Sequence, residues 1–167
     1  MLIRTFTESD YPASYITHLF IPENMFDIKA KKTLTLTGAR KIAARAAEKA
    51  MELNLSGAIA VVDDSGSLIY LERLEGTMPA AANIAIGKAA TAVAFMRPTK
   101  SLEEMIQEKR MAMLSLNGIP DTAYVPLMGA YPIYFEECIV GAVSVAGAGS
   151  GLNDEIIASY AAGSDLE

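Results

Sequence analysis

Few side chains in this sequence combine reactivity with surroundings that would make them act, and Lys88 stands out among them. It is the only charge in the 17-residue segment AAANIAIGKAATAVAFM, Ala80 to Met96. At helical spacing it shares a face with Ile84, Ala85, Thr91, Ala92 and Phe95. A lysine so placed must snorkel to water, pair with a carboxylate or meet an anionic ligand, because burying it alone is very costly. Glu72, Glu75 and Asp63 are the carboxylates considered for pairing; a propionate or another carboxylate is the ligand considered for anchoring. Arg73 ends one strand pattern and Arg97 ends the apolar segment. If the segment packs across a sheet, these two and Lys88 converge into a small positive pocket. Replacing Lys88 by Met is then expected to abolish binding of an anion at little cost in stability.

Other reactive types point elsewhere. Cys138 is the one cysteine, so neither an internal disulfide nor a multi-cysteine metal site is available. The neighbouring Glu136 and Glu137 raise a thiol's pKa, the wrong direction for a nucleophile. His18 is the one histidine and lies in the N-terminal stretch; surface packing and haem ligation are both open to it. Met78, Met96, Met111 and Met113 read as core filler, and Asp63-Asp64 as a turn former.

The elements that must position these residues follow from periodicity. Residues 1–33 are aromatic, contain proline and end in a basic cluster; they read as an arm or extension. From Thr37, a plausible N-cap, Ile42, Ala46, Ala50 and Leu53 recur at helical spacing. Ala58–Val62 and Ser67–Arg73 form a hairpin around Asp63-Asp-Ser-Gly66. Pro79 and Arg97-Pro98 bracket the apolar helix, which being apolar all round needs cover on several sides, from a sheet and from another layer or subunit. Ser101-Leu-Glu-Glu104 reads as a capping box opening a helix to about Leu114. Tyr131–Phe135 and Cys138–Val145 make a second hairpin, and Asn153 to Ala162 a closing helix. Tight turns pair adjacent strands antiparallel, so the class is α+β with a largely antiparallel sheet.

The stretch VSVAGAGSGLNDE, Val143 to Glu155, imitates a nucleotide-binding turn. Its glycines are spaced G-x-G-x-G, no strand can follow in the remaining residues, and Asp154 and Glu155 would repel a phosphate at the helix start. The alternative is that the glycines let the strand leave a crowded edge and approach another backbone closely.

Bulk properties bound the function. The 167 residues carry 14 Lys and Arg against 20 Asp and Glu, a formal charge of −6, which disfavours a nucleic-acid surface. No apolar run reaches the roughly 18 residues of a membrane span. The start MLIRTFTESD has no signal-like apolar region, so the cytoplasm is the expected location.

Four stretches together resemble the GlcG/HbpS family, the haem-binding or haem-degrading superfamily that includes the C-terminal domain of PduO-type proteins. They are LTLTGARKIAARAAEKA, AIAVVDDSGSLIYLERLEG, AIGKAATAVAFMRPT and GAYPIYFEECIVGAVSVAGAGSGLNDE, spanning about residues 34–162. The resemblance implies a single domain over 34–167. Its fold would be a profilin-like three-layer α/β/α sandwich that assembles into homo-oligomers. It maps Arg73, Lys88, Thr91, Arg97 and Thr99 onto pocket-side positions, and Gly129 and Pro132 onto the Gly-x-x-Pro before the second hairpin. Ala130 replaces a usual glycine with Tyr131 filling space beside it, so Tyr131 joins the expected ligand-binding set. Histidines common in the first helix and first hairpin are absent, and Ser67 stands at the hairpin position, which weakens haem ligation in particular. Three functions stay open. One is binding of haem or another anionic small molecule. Another is an isomerase- or hydrolase-type accessory enzyme for a small organic acid in a catabolic operon, with Glu72 or Glu75 as base. The third is an oligomeric scaffold without chemistry.

Overall fold

The computed structural model describes residues 30–164. Helix α1 runs Leu36–Glu52; its N-cap is Thr35, two residues before the Thr37 expected, and the Thr35 hydroxyl accepts the Gly38 N–H at 3.1 Å. Ala39, Ala43, Ala46 and Ala50 make its buried stripe. Strands β1 (Ala58–Asp63) and β2 (Leu68–Arg73) form the first hairpin. Asp63 shapes the turn by accepting the N–H groups of Ser65 and Ser67.

Helix α2 is Ala81–Phe95 and ends on Met96 in the left-handed conformation. Helix α3 is Thr99–Gln107. It corrects the sequence reading at both ends. Ser101 is no N-cap: its hydroxyl donates back to the Pro98 carbonyl at 2.8 Å from inside the helix. At the other end Lys109 turns left-handed, so the helix closes there and a 3₁₀ segment, Met111–Gly118, replaces the expected last turns. Strands β3 (Ala130–Phe135) and β4 (Cys138–Ala146) and helix α4 (Gly151–Ala162) complete the chain. Cys138, at the start of β4, is exposed.

The sheet order is β2-β1-β4-β3 and every pairing is antiparallel. Side chains alternate across it. Ile59, Val61, Tyr131, Ile133, Val143 and Val145 point to one face and pack with the alanines of α1 and with Ile157, Ala158 and Ala161 of α4. Ala58, Ala60, Val62, Ala130, Ala142 and Ala146 point to the other, against Ala81, Ala85, Ala89 and Ala92 of α2. This is an α+β three-layer sandwich, in agreement with the sequence pattern and the resemblance.

Small residues on both surfaces let α2 lie close to the sheet, close enough for the Ser144 hydroxyl to donate to the Ala85 carbonyl at 2.6 Å. Part of α2's outer surface is covered by the chain itself. The loop before β3 sets Val125 over Gly87 and the Tyr124 ring edge-on to Phe95, with centroids 5.0 Å apart. The extension expected over 1–33 lies outside the described residues except for its last four. Among the described residues no helix is long and apolar enough to cross a membrane.

Candidate functional site

Helix α2 carries Lys88 to the sheet face, where the residue is 1% exposed. Its ammonium donates to the Val145 carbonyl at 2.5 Å and to Asp154 Oδ2 at 3.0 Å. Burial pushes its pKa down, and the charge of Asp154 is the main influence raising it again. Lys88 therefore neither snorkels nor pairs with Glu72, Glu75 or Asp63; its partner comes from the first turn of α4. Asp154 is held in turn, its Oδ1 accepting the Ala148 N–H at 2.8 Å.

Next to this pair the backbone entering β3 is fixed by three side chains in succession. The N–H of Met128 donates to Glu103 Oε2 (2.6 Å), that of Gly129 to Glu155 Oε2 (2.7 Å) and that of Ala130 to Thr99 Oγ1 (3.1 Å). Glu155 is itself buried, and its other oxygen accepts the Tyr131 hydroxyl at 2.5 Å. Burial, with this bond to a carboxylate, drives the Tyr131 pKa well above the ordinary tyrosine value. Gly129 has φ +104°, and a Cβ there would sit 2.6 Å from both Asp154 Cβ and Lys88 Nζ. Only glycine fits between the two charges.

A cavity of about 460 Å³ opens above this floor. Its walls are Met78, Ile84, Leu127 and Met128, its back is formed by Ala146, Gly147, Gly149, Ser150 and Gly151, and Lys88, Glu103 and Asp154 are its charged lining. The glycines of the VSVAGAGSGLNDE stretch form part of that back. Gly147 and Gly149 take positive φ, and a Cβ on Gly147 would come within 3.0 Å of Ala81. They thread the chain past the start of α2 and into α4, whose N-cap Ser150 accepts the Asn153 N–H. A wider groove of about 670 Å³, beside Met96, Tyr134 and Cys138, has no buried charge in its lining.

Of the six residues expected to bind ligand, only Lys88 lines the cavity. Arg73 is exposed and donates to the Thr77 carbonyl, one residue from Met78 at the mouth. Arg97 is exposed beyond the far end of α2. The convergent positive pocket is therefore not formed, because the left-handed turn at Met96 carries Arg97 away and Lys88 shares the cavity with two carboxylates. Thr91 is buried and braces the covering loop, donating to Gly87 O and accepting the Val125 N–H. Thr99 and Tyr131 belong to the scaffold under the floor. Neither Glu72 nor Glu75, the expected bases, lines the cavity; Glu72 accepts the Tyr70 hydroxyl. His18 lies outside the described residues. The sequence reading missed Glu103, Asp154 and Glu155. Helical spacing held the signal for two of them, since Asp154 lies three and four residues before Ile157 and Ala158, and Glu155 three and four before Ala158 and Ser159, all buried.

Comparison with known proteins shows the family and the fold. The family described as "Haem degrading protein HbpS-like" matches residues 34–163. Protein GlcG of Escherichia coli strain K12 is 36% identical over 118 residues, 71% of this chain and 84% of GlcG. A double mutant of HbpS from Streptomyces reticuli superposes with a TM-score of 0.71 at 32% identity, covering 81% of this chain and 89% of that one. The PduOC:heme complex superposes at 0.69 with 22% identity, covering 79% and 94%, a likeness of fold. With the match running from the residue before the α1 N-cap to the end of α4, the chain belongs to the HbpS-like family.

Proposed function

We propose that this protein binds a small molecule in the cavity between α2, α3 and the start of α4, and that haem is that ligand. The observation that carries the reading is the cavity itself: apolar walls over a floor with one buried, fixed charge pair. Its volume falls within the about 300–1,000 Å³ usual for small-molecule sites. The apolar walls suit the macrocycle, while the charged lining is Lys88, already paired with Asp154, and the carboxylates of Asp154 and Glu103, which do not attract a propionate. Ile84, Leu127 and the methionines offer apolar surface to the macrocycle, Arg73 stands near the mouth for a propionate, and the methionine thioethers are donors an iron accepts. When bound, haem supplies iron redox chemistry; the chain's own part is to enclose it, limit water and fix its orientation. The family description supports the same ligand.

The test is a hemin titration followed by absorption. A Soret shift saturating near one haem per chain is expected, with at least tenfold weaker binding in Ile84→Trp, which fills the cavity and leaves the charged floor alone. No shift, or equal affinity in Ile84→Trp, overturns the reading. A second reading, proton transfer on a small organic acid, is favoured by one observation: Glu103 and Lys88 line the same cavity. A carboxylic acid that raises the melting temperature of protein showing no Soret shift supports it instead.

A further inference from the structure

Among the described residues the cavity lining holds one amine, that of Lys88, and its hydrogen-bonded partner Asp154 lines the same cavity. Two bonds fix the nitrogen, to the Val145 carbonyl and to Asp154 Oδ2. An ammonium carries three N–H groups and a neutral amine two. The two acceptors therefore satisfy every N–H of the neutral form and leave its lone pair free. Asp154, 3.0 Å away, is placed to take the proton that separates the two forms. Burial acts in the same direction, holding the Lys88 pKa below the ordinary lysine value.

The rest of the lining selects what such an amine could meet. Ile84, Leu127, Met78 and Met128 offer apolar contact to a short carbon chain. Lys88 is balanced by Asp154, and Glu103 adds a further negative charge, held on α3 by the Met128 N–H. A carbonyl compound with a carboxylate of its own meets net repulsion there; a neutral one does not.

We propose that Lys88 captures a neutral aldehyde or ketone in this cavity as a protonated imine. Transfer of one proton to Asp154 frees the amine, whose lone pair forms a bond to the carbonyl carbon. A second proton passes from that nitrogen to the carbonyl oxygen. Asp154 then returns the first, the oxygen leaves as water, and the nitrogen closes the C=N bond. Ammonium and carbonyl thus become protonated imine and water, with no oxidant or reductant. The product keeps its positive charge opposite Asp154, so the ion pair of the floor survives the reaction. The proposal rests on the cavity as a small-molecule site and is independent of haem.

The experiment incubates the full chain with butanal and cyanoborohydride at neutral pH and maps the reduced adduct by peptide mass spectrometry. At early times Lys88 should carry about tenfold more adduct than Lys41 or Lys109, which are exposed and serve as references. Ile84→Trp, which fills the cavity, should lose the Lys88 adduct and keep those on the references. Butanal should outcompete succinic semialdehyde, the same chain ending in a carboxylate. Adducts on the exposed lysines with none on Lys88, or a Lys88 adduct undiminished in Ile84→Trp, overturn the proposal. Preference for succinic semialdehyde overturns the neutral class. A Lys88 adduct in protein that gives no Soret shift with hemin upholds imine capture and removes the haem reading; a Soret shift without that adduct does the reverse.

Discussion

The two faces of the sheet are built from different materials. One presents Ile59, Val61, Ile133, Val143 and Val145 to α1 and α4; the other presents Ala58, Ala60, Ala142, Ser144 and Ala146 to α2. The branched face fills volume, and its stability is that of an ordinary apolar core. The alanine face fills little and brings a helix close. Closeness is what allows Lys88, in the middle of that helix, to reach a β4 carbonyl and a carboxylate of α4. The branched face therefore holds the fold, and the alanine face positions the charge.

If that division is right, the largest penalty should come where the alanine face meets the site. Gly129→Ala places a Cβ 2.6 Å from Lys88 Nζ at φ +104°, and a loss of more than about 3 kcal/mol is expected in urea unfolding. A loss under about 1 kcal/mol would mean the floor is loose. Lys88→Met comes next. The sequence alone suggests a small cost, but Asp154 would be left without its cation. About 3 kcal/mol is expected, with Lys88→Met/Asp154→Asn recovering part of it. Simple additivity of the two single variants would show that the pair is not coupled.

A matched pair of core substitutions compares the faces themselves. Ala60→Leu should cost about 1–3 kcal/mol by pushing α2 outward and should weaken ligand binding as well. Ile59→Val, one residue away on the branched face, should cost about 0.5–1.5 kcal/mol and leave binding unchanged. Equal effects on binding would erase the distinction.

The smallest effect is one of pH. The raised pKa of buried Tyr131 means that the native state holds this proton longer than the unfolded chain does. Its contribution is complete below about pH 10 and is lost as pH rises further. Lys88, with its pKa lowered, works in the opposite sense as pH approaches about 10.4 from below. Comparing wild type with Tyr131→Phe isolates the tyrosine: the variant should start less stable, by about 1 kcal/mol, and decline less steeply above pH 10. Parallel curves would show that Tyr131 does not bear the shift.

Most of this architecture is legible in the residues. The alanine stripe of α1, both hairpins and the apolar span of α2 are periodic patterns, and periodicity is local. The break at Lys109 is not legible, since a lysine in the left-handed conformation carries no mark in the chain. The pairing of Lys88 with Asp154 is also hidden, because it joins residues 66 apart and depends on how closely α2 lies on the sheet. The sequence identifies Lys88 as a charge needing a partner, but not which partner. Arg97 escapes for a similar reason, its direction being set by one left-handed residue, Met96.

Hydrogen exchange with and without hemin tests the location of the ligand most directly. New protection should fall on the amides of Leu127, Met128, Ala146, Gly147 and Gly149–Gly151, which line the cavity, with Tyr134–Ile139 unchanged. Protection concentrated instead beside Met96, Tyr134 and Cys138 would move the site to the wider groove and contradict the role of Lys88 and its cavity in binding.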